Sequence, residues 1–358
     1  MSKTRKIGIL TGGGDCPGLN AVIRGAVECC LNAGIHVYGL YDGWKGALTG
    51  EGKYLSYDDV DEIQTRGGTI LGTSRTNVMK IEGGAETVRA RMQQLELEGL
   101  IAIGGDDTLG VANKLRKMGM NMVGVPKTID NDLSCTDVTF GFDTATNIAM
   151  ECIDRLHTTA ESHSRCIVVE CMGRHTGHIA LHAGLASNAH LILIPEFPKT
   201  FREIADFVKS RHVRGKKYTI IVVAEGFKFA DSSEDDGNLG VDAFGNKLLC
   251  TKDLAKNISE MIEYDIRNDE TMPDDCKSFE CRYVVLGHIQ RGGAPTCADR
   301  VLGFRLGVKA GQLAAAGEYG NMVALSGNNI VAADLDKAVT ERKLVSPELY
   351  AAAELIFR

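Results

Sequence analysis

An α/β fold with mainly parallel sheets is predicted for this chain from two observations. Short apolar runs alternate with segments of helical periodicity along the chain. Glycine- and aspartate-rich turns cluster where those runs end, which is where open parallel sheets bind ligands. The 358 residues suffice for about two domains. Hydrophobic residues at 44% and charged residues at 24% describe a globular protein able to bury a full core. A net charge of −7 argues against a general nucleic-acid or membrane binder, while leaving room for a local basic pocket. No apolar run reaches membrane length and no charged-then-apolar leader opens the chain, so a cytoplasmic protein is expected. Eleven cysteines, an odd number with Cys29 and Cys30 adjacent, fit a reduced protein whose thiols mostly pack as small hydrophobes.

Lys6 to Leu10 reads as a strand, and Leu19 to Asn32 as a helix. Between them, Thr11 to Gly18 places four glycines and a helix start where backbone N–H groups converge on an anion. The loop fits neither the dinucleotide nor the Walker pattern, and a tight structural turn is the alternative. Cys16 within it either packs or has a lowered pKa and is redox-sensitive. Ile35 to Leu40 is a second strand, and Tyr41 to Gly46 a turn in which the only tryptophan, Trp44, packs. Arg66 to Arg75 is a second glycine-rich loop. Its terminal Arg75 suits the clamping of a phosphoryl group, or else is a solvated charge. A polar-faced helix follows over Glu86 to Leu97.

Leu100 to Ile103 is a buried strand that runs into Gly104 to Gly110, with a helix to about Met118. Asp106 and Asp107 are adjacent carboxylates at this turn. They call for a positive neighbour, either a metal ion or Lys127. N-capping by Asp107 or Thr108 is the structural alternative. Met120 to Val125 is another buried strand, stopped by Pro126. A cation (Lys127), a hydroxyl (Thr128) and two carboxylates (Asp130, Asp132) follow within six positions. An Asp/Asn turn is the plain reading of that stretch.

Taken together, residues 12–18, 104–108 and 126–132 resemble the phosphofructokinases. The resemblance continues through Phe140 to Ala145, which opens a helix to about Thr159. It also takes in residues 162–165 before a strand from Cys166 to Cys171, then Met172 to Gly177, Val222 to Phe227 and Leu286 to Gly293. It covers roughly residues 6 to 310 with the motifs in the family's order. It implies two similar αβα domains with the active site in the cleft between them. The donor-binding domain would comprise 1–142 and about 290–340, and the sugar-phosphate domain 143–289 and about 341–358, with crossings near Phe140 and Ile289. The family moves a phosphoryl group onto the 1-hydroxyl of fructose 6-phosphate, a reaction of positioning and charge stabilisation. By resemblance, Asp130 takes the hydroxyl proton, Asp132 supports it, Thr128 orients the sugar and Asp106 holds Mg²⁺. Gly13, Gly105, Asp107, Thr108 and Lys127 contact the donor, and Arg75 reaches the transferring group. Met172, Gly173, Arg174, Glu225, His288 and Arg291 recognise the sugar phosphate in the same chain. Arg165 and Arg282 match residues that enter a neighbour's site, so a homodimer or homotetramer is implied.

Donor choice turns on two positions. ATP-using relatives usually carry glycine at positions 107 and 127, whereas this chain has Asp107 and Lys127, the pair of the pyrophosphate-dependent branch. A carboxylate at position 107 meets a nucleotide's α-phosphate, and two like charges ~4 Å apart cost about 4 kcal/mol at an effective dielectric of 20. Pyrophosphate lacks the third phosphate and avoids that clash. Pyrophosphate, Mg²⁺ and fructose 6-phosphate are therefore the expected ligands, in a reversible reaction of glycolysis and gluconeogenesis. The rival readings are an ATP-dependent enzyme, a wider ketose-phosphate range such as sedoheptulose 7-phosphate, and a catalytically silent subunit. The intact Asp106, Asp130 and Asp132 disfavour the last. Residues 228–248 read as an exposed excursion, and the tail after Gly317 carries no motif.

Overall fold

The computed structural model describes residues 4–231 and 253–357, so the expected excursion over 228–248 lies outside the described residues from position 232 onward. Two compact units emerge. Residues 4–144 and 291–343 form the first; residues 145–231, 253–290 and 344–357 form the second. The fold is α/β with mostly parallel sheets, as the alternation of elements predicts.

The first unit is built on seven strands: β1 (Lys6–Thr11), β2 (His36–Leu40), β3 (Gly52–Leu55), β4 (Gly99–Gly104), β5 (Met122–Pro126) and, in this unit's C-terminal part, β10 (Asn321–Ser326) and β11 (Asn329–Asp334). Their order is β11-β10-β5-β4-β1-β2-β3. The inner pairs are parallel, and only the edge strands β3 and β11 run antiparallel to their neighbours. β4 and β5 are buried along their whole length. Such unbroken apolar runs mark strands covered on both faces. Leu10, Leu100, Ala102, Leu109, Leu115 and Met122 share one core cluster on this sheet.

The second unit carries β6 (Cys166–Cys171), β7 (Leu191–Leu193), β8 (Thr219–Ala224) and β9 (Cys281–Val285) in the order β7-β8-β6-β9, all parallel. Its core gathers Val168, Ile204, Ile221, Val223, Ile258 and Ile262.

In the first unit the helix Leu19–Asn32 packs closely along Cys297–Ala316. A Cβ on Gly25 would lie 2.3 Å from the Phe304 carbonyl oxygen, and one on Gly307 would lie 2.2 Å from that of Val22. Small residues at the crossing are what let these backbones touch.

Several boundaries differ from those read in the sequence. Trp44 starts a short helix, Trp44–Thr49, rather than sitting in a turn, and it is buried as expected. The polar-faced helix runs over Gly84–Gln94, starting earlier and ending at Leu95. Pro126 is the last strand residue, paired with Gly104, rather than a stop before it. At a strand end its missing N–H costs no ladder bond. The helix after β4 begins at Asp106 and is capped by Gly105, so neither Asp107 nor Thr108 is its N-cap. The tail is structured, with β10, β11 and the helices Leu335–Thr340 and Pro347–Glu354. Among the described residues no helix is long and apolar enough to cross a membrane.

Candidate active site

In the first unit, β1, β4 and β5 lie side by side, and their carboxyl ends deliver three loops to one place. The loop after β1 supplies Gly13, which has a φ of +78° that other residues rarely adopt. Its backbone N–H donates to the Ser74 carbonyl, and the Thr73 hydroxyl donates back to the Gly13 carbonyl at 2.5 Å. The second glycine-rich loop is thereby tied to the first, with the exposed side chain of Arg75 next in sequence. Thr108 is buried and packs under this loop: a Cβ on Gly12 would lie 2.6 Å from its hydroxyl.

The loop after β4 places Asp106 and Asp107 in the first turn of a helix, where the dipole favours negative charge. The Asp107 backbone N–H donates to Asp106 Oδ1 at 2.8 Å. The loop after β5 brings Lys127, Thr128, Asp130 and Asp132. Lys127 is buried, and its ammonium donates to the Gly14 carbonyl. Burial lowers its pKa, and the charges of Asp106 and Asp130 work against that fall. The Asp130 N–H donates to the Thr128 hydroxyl at 3.0 Å, so a threonine side chain rather than the expected Asp or Asn closes this turn. Asn131, at a φ of +53°, accepts from the Thr139 N–H at 3.1 Å and fixes the far side of the loop. Burial pushes the Asp132 carboxyl up to about 7; Asp130 and Asp106 add to the rise and Arg342 opposes it.

Arg342 is the residue that sequence reasoning missed. It comes from the tail, with Nη2 3.8 Å from Asp106 Oδ2 and Nε 3.9 Å from Asp132 Oδ2. No local signal marks it, because only the pairing of residues 133 and 342 brings the two segments together. Arg291, expected with the sugar phosphate, belongs to the first unit. There its Nη1 donates to the Asp15 carbonyl at 3.2 Å, against the same glycine loop.

Cys16 is fully buried, and burial pushes its thiol up to about 12. The packing reading holds and the lowered-pKa reading fails: desolvation of a thiolate outweighs the helix start beside it.

In the second unit, Met172, Gly173 and Arg174 follow β6, Glu225 follows β8 and His288 follows β9, so five expected sugar-phosphate residues share the carboxyl end of this sheet. The loops interlock. Gly226 N–H donates to the Gly173 carbonyl at 3.0 Å, and a Cβ on Gly226 would lie 2.0 Å from the Arg174 carbonyl oxygen. Arg165 and Arg282 stand at the opposite end, before β6 and at the second residue of β9. Both pair with Glu280, Arg282 at 3.2 Å, and Arg282 also lies 3.6 Å from Glu263.

Among the described residues no group of three or more His, Cys, Asp and Glu side chains is arranged to cage a metal ion. The carboxylates of Asp106, Asp130 and Asp132 nevertheless lie close enough for the first two to add to the rise that burial causes at Asp132. That set suits a hard divalent ion that takes one or two protein carboxylates and fills its remaining positions with water and phosphate oxygens.

The phosphofructokinase family model matches residues 6–314. The chain belongs to the phosphofructokinase family. Among curated proteins, the pyrophosphate–fructose 6-phosphate 1-phosphotransferase of Amycolatopsis methanolica is 51% identical over 98% of this chain and 99% of its own length. The ATP-dependent 6-phosphofructokinase 3 of Streptomyces coelicolor is 46% identical over the same shares of the two chains. Among solved structures, the T-state phosphofructokinase of Pichia pastoris aligns with a TM-score of 0.79 and 28% identity, over 99% of this chain but 37% of its own. The pyrophosphate-dependent phosphofructokinase of Marinobacter aquaeolei, at 21% identity and a TM-score of 0.78, shares the fold. This phosphofructokinase is accordingly a phosphotransferase.

Proposed function

We propose that the chain transfers a phosphoryl group from pyrophosphate to the 1-hydroxyl of fructose 6-phosphate, reversibly, giving fructose 1,6-bisphosphate and phosphate. The observation that carries the donor reading is the position of Lys127. Its buried ammonium bonds the glycine loop at Gly14 and lies 3.5 Å from where a Cβ of Gly13 would be, so a fixed cation stands at the loop that would hold the donor. Asp107, the second residue of the neighbouring helix, adds a negative charge that a longer nucleotide would have to pass. The relatives include both donor types, with pyrophosphate- and ATP-dependent enzymes at 51% and 46% identity. The second reading, an ATP donor, rests on the latter.

In this reading Asp130 accepts the proton of the attacking hydroxyl. The charges of Lys127 and Asp130 lie close enough to interact, which places a cation near the proposed base. Asp132 supports the base, Thr128 orients the sugar, and Arg75 and Arg291 offer guanidinium groups on the donor side. Asp106 would hold Mg²⁺, which supplies charge neutralisation on the donor phosphates. Gly105 and Thr108 shape the donor loop by packing. Met172, Gly173, Arg174, Glu225 and His288 would bind the sugar phosphate.

The placement of Arg165 and Arg282 supports an oligomeric enzyme. Six strand residues separate Arg165 from Met172, about 20 Å of extended chain. One phosphate cannot engage both ends of that strand, so a second chain's ligand is the natural target of these arginines.

A coupled assay with Mg²⁺ and fructose 6-phosphate tests the donor. Turnover with pyrophosphate and little with ATP is expected; the reverse preference would leave the family assignment intact and end the donor reading.

A further inference from the structure

The guanidinium of Arg342 lies within 4.0 Å of two carboxylates, Asp106 and Asp132, yet both separations exceed hydrogen-bond length. It acts as a shared counter-charge rather than as a fork on either acid. The backbone holds it there. Arg342 bridges Leu133 in antiparallel fashion, and the Lys343 N–H donates to the Asp132 carbonyl at 2.9 Å. Lys343 Nζ donates to Asn131 Oδ1 and to the Asp137 carbonyl, both at 2.7 Å, and to the Thr136 carbonyl at 3.2 Å. Ser134 Oγ donates to the Lys337 carbonyl at 3.2 Å. Residues 337–343 thus brace the loop 131–137, outside the stretch matched by the family model.

The two acids differ in freedom. The Asp132 side chain is 12% exposed, whereas those of Asp106 and Arg342 are 46% and 41% exposed. A cation arriving at Asp106 meets an open carboxylate and a guanidinium able to move aside, while Asp132 stays where it is.

We propose that Arg342 is a positioning residue that neutralises the Asp106–Asp132 pair in the ligand-free enzyme and competes with a divalent cation for Asp106. The proposal rests on the reading that Asp106 holds the metal, and it is independent of the donor. Two cations beside one carboxylate repel, so binding of the metal has to displace the guanidinium toward Asp132.

The test uses the full chain without substrates. Thermal midpoints are measured in chelator and in saturating Mg²⁺ for the wild type, Arg342→Gln, Arg342→Lys and the double variant Asp106→Asn/Arg342→Gln. Arg342→Gln is expected to melt below the wild type in chelator and to regain most of the gap in Mg²⁺, while the wild type changes little and Arg342→Lys follows the wild type. Mn²⁺, titrated by loss of its free-ion resonance signal, is expected to bind Arg342→Gln roughly three- to tenfold more tightly than the wild type or Arg342→Lys, the size of a partly screened charge pair. A drop in stability that Mg²⁺ does not restore, equal Mn²⁺ affinity in Arg342→Gln and wild type, or tighter Mn²⁺ binding by the charge-preserving Arg342→Lys would each overturn the role of Arg342. A Mg²⁺ gain that persists in the double variant overturns the metal's place at Asp106 itself, which separates the two failures.

Discussion

Asp107 and Lys127 are the two residues on which the proposed donor choice turns, and they stand just past the ends of the neighbouring strands β4 and β5. Lys127 is buried against the glycine loop, so its replacement by glycine removes a cation and opens a space beside Gly13. Asp107→Gly, alone or combined with Lys127→Gly, is expected to raise the ratio of ATP- to pyrophosphate-supported turnover by about tenfold or more, since two like charges near 4 Å cost a few kcal/mol even when partly screened. Initial rates with each donor check this, and an unchanged ratio in both variants defeats it. A second titrating residue governs stability instead. Burial and the nearby charges of Arg211, His157 and Lys216 push His190 down to about 3, and its Nδ1 accepts from the Ile220 N–H at 2.8 Å. Between the ordinary value of 6.5 and about 3, the unfolded chain binds a proton that the folded chain refuses. Stability from this group is therefore complete above 6.5 and is lost as the pH falls through that window. Urea midpoints measured from pH 7 to pH 4 should fall less steeply in His190→Asn than in the wild type.

At the level of elements, the glycine contacts between the helices Leu19–Asn32 and Cys297–Ala316 set how the C-terminal part of the first unit joins its beginning. With 2.2 Å available to a Cβ at position 307, Gly307→Val forces the helices apart at the expense of the packing around Val22 and Ala26. A loss of about 2–3 kcal/mol is expected, the range for overpacking a close contact. A denaturant midpoint that shifts down with an unchanged slope is the confirming measurement. The same elements show where sequence reading succeeds. The helix Leu19–Asn32 and the strand Cys166–Cys171 were legible to the residue, because apolar periodicity and flanking breakers agree there. The Gly84–Gln94 helix was misplaced at both ends, since its polar residues give periodicity little to work with, and its glycine start lacks a side-chain cap.

For the whole molecule, the division of the sugar-phosphate residues between opposite ends of the second sheet makes a prediction about assembly. Asp130→Ser removes the proposed base, and Arg165→Ala removes a group expected to serve another chain's ligand. Each variant alone should be poorly active, and mixing the two after reversible dissociation should restore activity, because hybrid oligomers contain one site with neither lesion. No recovery, measured in the donor assay, would mean that Arg165 acts within its own chain or only holds structure. The sequence by itself determined the α/β class, the family and the run of phosphate-loop, acidic and basic motifs, because each of these is written in contiguous residues whose local geometry follows from glycine, proline and apolar spacing. The tertiary structure alone decided that Cys16 is a fully buried thiol, that Arg291 leans on the glycine loop, and that Arg342 and Lys343 brace the acidic loop. Burial and charge proximity arise from segments more than 100 residues apart, and no local pattern encodes which of them will meet.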